Sequence, residues 1–179
     1  DEVPPGVSWA DPENRIIIAS GPLGGTLVPG SGTFSVITKG ALTEGGAVTQ
    51  ANGFFGAYLR HSGFDAVLVH GRAPRLSYIY IHDGTAEICD ASALAGKDTW
   101  ETCDFLTQTA GGEGPVSVVS IGPAGENLVR FAGVFGDKGH SASHNGVGAV
   151  MGSKILKAIV AAQGKVGVPI KERQRLLGL

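Results

Sequence analysis

At 179 residues, with 42% hydrophobic and 17% charged residues, the chain can bury one proper core but has little charge for a free-standing surface. A formal net charge of −2 gives no electrostatic case for nucleic acid or an anionic membrane surface, and no apolar run reaches the length of a membrane span. The opening residues lack a signal-peptide pattern, and the 29 glycines follow no collagen period in a chain too apolar to be disordered.

Residues 1–14 are polar and proline-bearing, a lead-in. Residues 15–20 (RIIIAS) read as a buried strand that stops at Gly21-Pro22-Leu23-Gly24-Gly25. Residues 33–38 (TFSVIT) alternate and are β-rich, a second strand. A polar, glycine-bearing loop is expected over 40–53, then a short helix over 54–62 closed by Gly63, then a buried strand over 66–69. Asp83-Gly84 joins strands 76–81 and 86–89 as a hairpin. Asp98 caps a helix from 99 to about 109, with Glu101 in its first turn and Gly111-Gly112 as its stop. Strands follow over 116–121 and 129–135, then a loop over 139–146, a helix from Val147 and a strand over 157–162. After Gly164 come Pro169 and a charged run over 171–175 that reads as the start of a helix. Strands outnumber helices and do not alternate regularly with them, so the fold class is α+β. The domain proper spans 15–164, and 165–179 lead towards a following domain.

The order of features occurs twice. A buried strand meets Gly-Pro-x-Gly at Gly21–Gly24 and again at Gly122–Gly125. A β-rich segment follows around Phe34 and around Phe131, then a small-residue loop ending in Asn52-Gly53 or Asn145-Gly146. A short helix containing Gly-Ala and a buried strand close each half. Two related halves imply an approximate twofold axis, with a glycine-bearing helix start contributed by each. Free N–H groups and the positive end of the helix dipole suit a phosphate there, so the pair of loops suits a ligand with two phosphates.

Other chemistry is thinly supported. Gly146-Val147-Gly148 with Gly152 is a loose dinucleotide fingerprint, but a long loop separates it from its strand and no acidic residue ends the next one. Gly152-Ser153-Lys154 carries serine where a P-loop needs lysine. His140 and His144 lie four apart with no third ligand, and Ser141 and Ser143 have no evident base and acid. His61, His70 and His82 read as surface residues, and Asp65 and Asp104 as helix-end or solvated charges. Cys89 and Cys103 are isolated, cannot build a zinc or iron–sulfur site alone, and read as core thiols of a reducing, cytoplasmic compartment.

In order from Pro12 to Val160, the stretches PENRIIIASGPLGG, FSVITKGALT, NGFFGAYLRHSGFDAVLVHGRA, EICDASALAGKDTWET, SIGPAGENLVRFAGVFGDKG and NGVGAVMGSKILKAIV resemble the N-terminal domain of the aldehyde ferredoxin oxidoreductase family, the tungsten bis-pterin enzymes. The resemblance implies two mixed β-sheets in pseudo-twofold-related halves with short helices, forming a base for the metallopterin. It implies cofactor contacts at Thr33, Gln50, Ala51, Asn52, Gly53, His140, Ser141, Ala142, Ser143, His144, Asn145 and Gly146. A magnesium ion joining the two pterin phosphates would be held partly by the backbone carbonyls of Gln50 and Ser141, a role indifferent to side-chain identity. The family's arginines near the cofactor fall at Thr33, His140 and His144, and its glycine at Asn145, so positive charge around the phosphates is reduced here.

The implied function is the cofactor-seating domain of a tungsten (or molybdenum) bis-pterin oxidoreductase acting on aldehydes with ferredoxin-type electron transfer. The changed arginines leave room for a benzoyl-CoA reductase-type branch, and a non-catalytic phosphate-binding module is the competing class. The implied 4Fe-4S cluster has its cysteines in later domains, the family's opening strands lie ahead of Asp1, and the fragment alone should be inactive. Expected partners are the remaining domains or subunits and ferredoxin or an electron-transfer subunit.

Overall fold

Two sheets carry the fold of the computed structural model, which describes residues 3–110, 112 and 114–178. Asp1 and Glu2 of the lead-in, Gly111 of the expected helix stop, and Leu179 lie outside the described residues. The first sheet orders β3 (Gly46–Ala51), β2 (Phe34–Lys39), β1 (Ile16–Ser20) and β4 (Ala66–Val69), antiparallel throughout. The second orders β6 (Thr85–Asp90), β5 (Ser77–His82), β10 (Leu156–Ala162), β7 (Val116–Ser120), β8 (Val134–Gly136) and β9 (His140–Ala142). It is mixed, because β5 runs parallel to β10. The helices are α1 (Phe55–His61), α2 (Thr99–Ala110), α3 (Pro123–Glu126), α4 (Val147–Ser153) and α5 (Arg173–Leu177).

Alternation along the strands builds the core. Ile16 and Ile18 of β1 and Phe34 and Val36 of β2 point inward and meet Val119, Val134 and Ile159 of the second sheet, with Phe55 and Leu59 of α1 and Val147, Val150 and Met151 of α4 between them. Phe34 and Phe55 pack edge to face at 5.5 Å, worth about 0.5–1.5 kcal/mol beyond the area they bury. A second cluster lies on the outer face of the second sheet. There Leu94 and the α2 residues Cys103 and Leu106 cover Val118, Ala158 and Val160. Asp98 starts α2 as expected. Its Oδ1 accepts the N–H groups of Trp100 and Glu101, and Glu101 accepts the Asp98 N–H in return, a capping box.

The repeat is present in the topology. Read along the sheet, each half runs fourth, first, second, third strand, as β4-β1-β2-β3 and as β10-β7-β8-β9, all antiparallel, with its helix before the fourth strand. Each half is a Greek key. The details repeat as well: Gly24 N–H donates to Gly21 O (2.9 Å) and Gly125 N–H to Gly122 O (3.0 Å). Gly56 in α1 donates to Gly32 O (3.0 Å), and Gly148 in α4 donates to Ala132 O (2.9 Å). Hairpin β5–β6 and α2 stand between the halves in sequence and extend only the second.

Several local expectations change. The expected loop over 40–53 contains strand β3, and the loop over 139–146 contains β9. Both are rich in Gly, Ala and Ser, so their pairing with β2 and β8 makes the strand and intrinsic preference does not. The strand expected over 129–135 shrinks to β8, because residues 123–132 turn through α3 and a chain of local hydrogen bonds. Strand β4 is an edge and not a buried strand: Ala66 and Leu68 are exposed. Asp65 and Asp104 each form an ion pair, with Arg60 and Lys138 respectively.

Candidate functional site

The halves meet along β3 and β9, the outer strands of their Greek keys. Each half's turn between its second and third strands docks on the other half's loop before the helix. The turn after β2 is closed by Gly40 N–H to Gly45 O (2.9 Å) and held by Asn145, whose Oδ1 accepts the Thr43 N–H (2.9 Å). Asn145 Nδ2 donates to Thr43 Oγ1 (2.9 Å), and Arg130 donates to Ala41 O (2.8 Å) and Glu44 (2.9 Å). Reciprocally, Asp137 in the turn after β8 accepts the Phe54 N–H (3.3 Å) through Oδ2. Its Oδ1 takes the Ser117 hydroxyl (2.7 Å) and the Val118 N–H (3.1 Å). The His144 N–H donates to Thr49 Oγ1 (3.4 Å), closing the seam.

The two sequence-predicted loops are therefore brought together. A Cβ on Gly53 would press on Asp137 Oδ2 (2.9 Å) and His140 Cδ2 (3.0 Å). Gln50, Asn52, His140, Ser141, Ser143 and His144 are exposed. Thr33 donates its hydroxyl to Asn52 Oδ1 (3.1 Å), and Thr33 and Gln50 share a hollow of about 220 Å³ with the Gly21–Gly24 turn. Ala51, Ala142 and Asn145 are buried, so their side chains serve the core or the seam, and Gly146 is buried beside them. Asn145 is left-handed (φ +61°) and its amide is occupied by Thr43.

The helix starts differ from the sequence expectation. Both α1 and α4 have only seven residues, and the Gly56 and Gly148 amides are used by Gly32 and Ala132. The main chain of the edge strands offers more. Gly40 and Gly45 stand opposite each other in the β2–β3 register, so Val36–Thr49 and Phe34–Ala51 are hydrogen-bonded pairs as well. Gln50, opposite Ser35, then turns its N–H and C=O away from the sheet. In the second sheet the Asp137 N–H donates to Val118 O (2.7 Å), which directs Phe135 towards β7. Ser141, opposite Phe135, likewise turns its main chain outward. Through these registers Gln50 and Ser141 are repeat equivalents.

No group of three or more His, Cys, Asp or Glu side chains that could hold a metal occurs among the described residues. Asp137 is the carboxylate at the seam that the sequence reading missed, and its charge adds to burial in raising the Tyr58 hydroxyl above its ordinary value. The Asp137-Lys138-Gly139 turn was its sequence signal: Asp137 is itself left-handed (φ +45°). Among the described residues no helix is long and apolar enough to cross a membrane.

A family model for the aldehyde ferredoxin oxidoreductase N-terminal domain matches residues 1–163. The chain belongs to that family. It is 48% identical to a tungsten-containing aldehyde ferredoxin oxidoreductase of Pyrococcus furiosus over 178 residues, covering 98% of this chain and 29% of the relative. It is 46% identical to the Thermococcus kodakarensis enzyme of the same description, with the same coverage. Among solved structures, the active site complex BamBC of benzoyl coenzyme A reductase with 1,5-dienoyl-CoA matches with a TM-score of 0.88 and 39% identity, covering 93% of this chain and 25% of that one. The domain thus spans about 29% of the length of the tungsten-containing relatives. The resemblance and the α+β two-sheet fold read from the sequence are both borne out.

Proposed function

We propose that this domain seats a tungsten bis-pterin cofactor for an oxidoreductase acting on aldehydes, with electrons passed to ferredoxin or an electron-transfer subunit. One observation carries the reading: Gln50 and Ser141, equivalent in the repeat, both turn main-chain oxygen outward from edge strands that lie against each other. Magnesium takes oxygen ligands and keeps several waters, so the two main-chain carbonyls of Gln50 and Ser141, together with phosphate oxygens, would suit it without any acidic cluster. Thr33, Asn52, Gly53, His140, Ser143 and His144 lie on or against the same two segments and would contact the pterin phosphates and ring edges.

When bound, the cofactor would supply two-electron redox chemistry. This chain's residues hold and orient it, while a 4Fe-4S cluster and the substrate contacts come from other parts of the protein. Free Cys89 and Cys103 suit a reducing, cytoplasmic setting. The aldehyde reading is favoured over the acyl-CoA reductase alternative by 48% identity over nearly the whole chain, against 39% to the benzoyl coenzyme A reductase complex.

Metal analysis with pterin fluorescence on the natively purified intact protein tests the reading. Tungsten, magnesium and pterin together are expected, and molybdenum in place of tungsten would change only the metal. Absence of both metals and of pterin would overturn it in favour of a module for another phosphorylated ligand.

A further inference from the structure

The sequence holds two Asn-Gly dipeptides, Asn52-Gly53 and Asn145-Gly146, and the fold gives them opposite surroundings. An Asn followed by Gly loses ammonia more readily than other Asn residues, because no Cβ keeps the glycine nitrogen from the side-chain carbon. Asn145 is shielded against that reaction. It is 8% exposed, its Oδ1 accepts the Thr43 N–H (2.9 Å), and its Nδ2 donates to Thr43 Oγ1 (2.9 Å). Gly40 covers the carbon itself: a Cβ on Gly40 would stand 2.6 Å from Asn145 Cγ. An amide so clamped and covered cannot turn to meet the Gly146 nitrogen.

Asn52 has none of this cover. It is exposed, and its Oδ1 is engaged only by the Thr33 hydroxyl (3.1 Å) among the described residues. No group among the described residues accepts the Gly53 N–H. The Thr33 bond does not protect. It falls on the oxygen that turns negative when a nitrogen attacks Cγ, and a donor placed there lowers the barrier.

We propose that Asn52 is a site of spontaneous deamidation, and that the docking of the turns spares Asn145. The Gly53 nitrogen gives its proton to solvent base and attacks Asn52 Cγ. The Cγ–Nδ2 bond breaks, ammonia leaves, and a five-membered succinimide forms. Water then opens the ring at either carbonyl, giving aspartate or isoaspartate, so the net change is one water taken up for one ammonia released. No electron is transferred. Either product sets a negative charge between Gln50 and Gly53, and isoaspartate also lengthens the main chain there. That charge would repel a phosphate and lower cofactor retention, while a bound cofactor would cover Asn52 and slow its conversion. This consequence rests on the proposed function, and the deamidation itself does not.

The test uses intact protein from cells grown with and without tungsten, each showing a cooperative unfolding transition. Both samples are held in mildly alkaline buffer below that transition, digested, and read by mass spectrometry with aspartate and isoaspartate peptides separated. In the tungsten-free sample Asn52 should convert at least about tenfold faster than Asn145. Equal rates, faster conversion of Asn145, or no conversion of Asn52 while a denatured sample converts both would overturn the proposal. Tungsten-loaded protein should convert Asn52 several-fold more slowly. An unchanged rate there would overturn the cofactor's placement and leave the deamidation standing. An Asn52→Asp variant keeps an acceptor for Thr33, so it should hold the wild-type denaturation midpoint and carry less tungsten and pterin. Full occupancy in that variant would overturn the effect on retention.

Discussion

Gly146 shows what a single backbone position does here. It is buried with φ +70°, and a Cβ there would collide with the Arg130 carbonyl and approach the Ala41 methyl. Gly146→Ala should therefore cost at least about 2 kcal/mol in denaturant midpoint analysis, whatever it does to a ligand. Gly30 shares the left-handed conformation (φ +81°) but faces open space, so Gly30→Ala should cost only the backbone strain, about 1–2 kcal/mol. Lys154 is the other instructive residue. Its Nζ is buried and donates to the carbonyls of Asp11 (2.9 Å), Pro12 (2.9 Å) and Asn14 (2.5 Å), tying α4 to the lead-in. Burial, then the charge of Arg72, lower its pKa from 10.5 to about 8. Between those values the unfolded chain holds the proton that the folded molecule has released, so this group's contribution to stability rises with pH. The stability gap between wild type and Lys154→Met should widen by on the order of 2–3 kcal/mol as pH is raised through that window, read from paired denaturation curves.

Among the elements, the two docked turns hold the candidate site in shape. Asp137 accepts hydrogen bonds from Ser117, Val118 and Phe54, and its removal leaves three donors without that acceptor. Asp137→Ala should cost about 1–3 kcal/mol and lower the tungsten content of the purified intact protein. Asp104→Ala breaks only a surface pair with Lys138 and should leave both nearly unchanged. The sequence showed most of these elements. Its apolar runs and Gly-Pro-x-Gly turns mark β1, β7 and the internal repeat, and Asp98 with Glu101 marks the start of α2. It hid β3 and β9, because Gly46–Ala51 and His140–Ala142 carry no strand preference and become strands only through partners on β2 and β8. The candidate loops were legible as Asn-Gly punctuation. The docking was not, since Thr43–Asn145 and Phe54–Asp137 join residues 102 and 83 positions apart. Asn145, an expected cofactor contact, has its side-chain amide engaged with Thr43 at the seam.

At the scale of the whole molecule, the duplication explains both the glycine content and the position of the site. Helix glycines Gly56, Gly148 and Gly152 sit against carbonyls of Thr33, Gly133 and Gly125, so each half is drawn tight with its helix close to the sheet. The seam between halves is where two equivalent main-chain oxygens can serve one ligand. The crossed turns also govern how the chain acquires its shape. The first half cannot seat its own turn, because the receptor, Asn145 with Arg130, lies on the second half. During synthesis the first half must wait, its turn undocked, until Asn145 has left the ribosome. Long-range closures of this kind slow folding and leave edges exposed in the interval. This stretch of polypeptide should therefore consolidate in one late step, and ribosome-stalled chains ending before residue 145 should stay open to protease where those ending well beyond Ala162 do not.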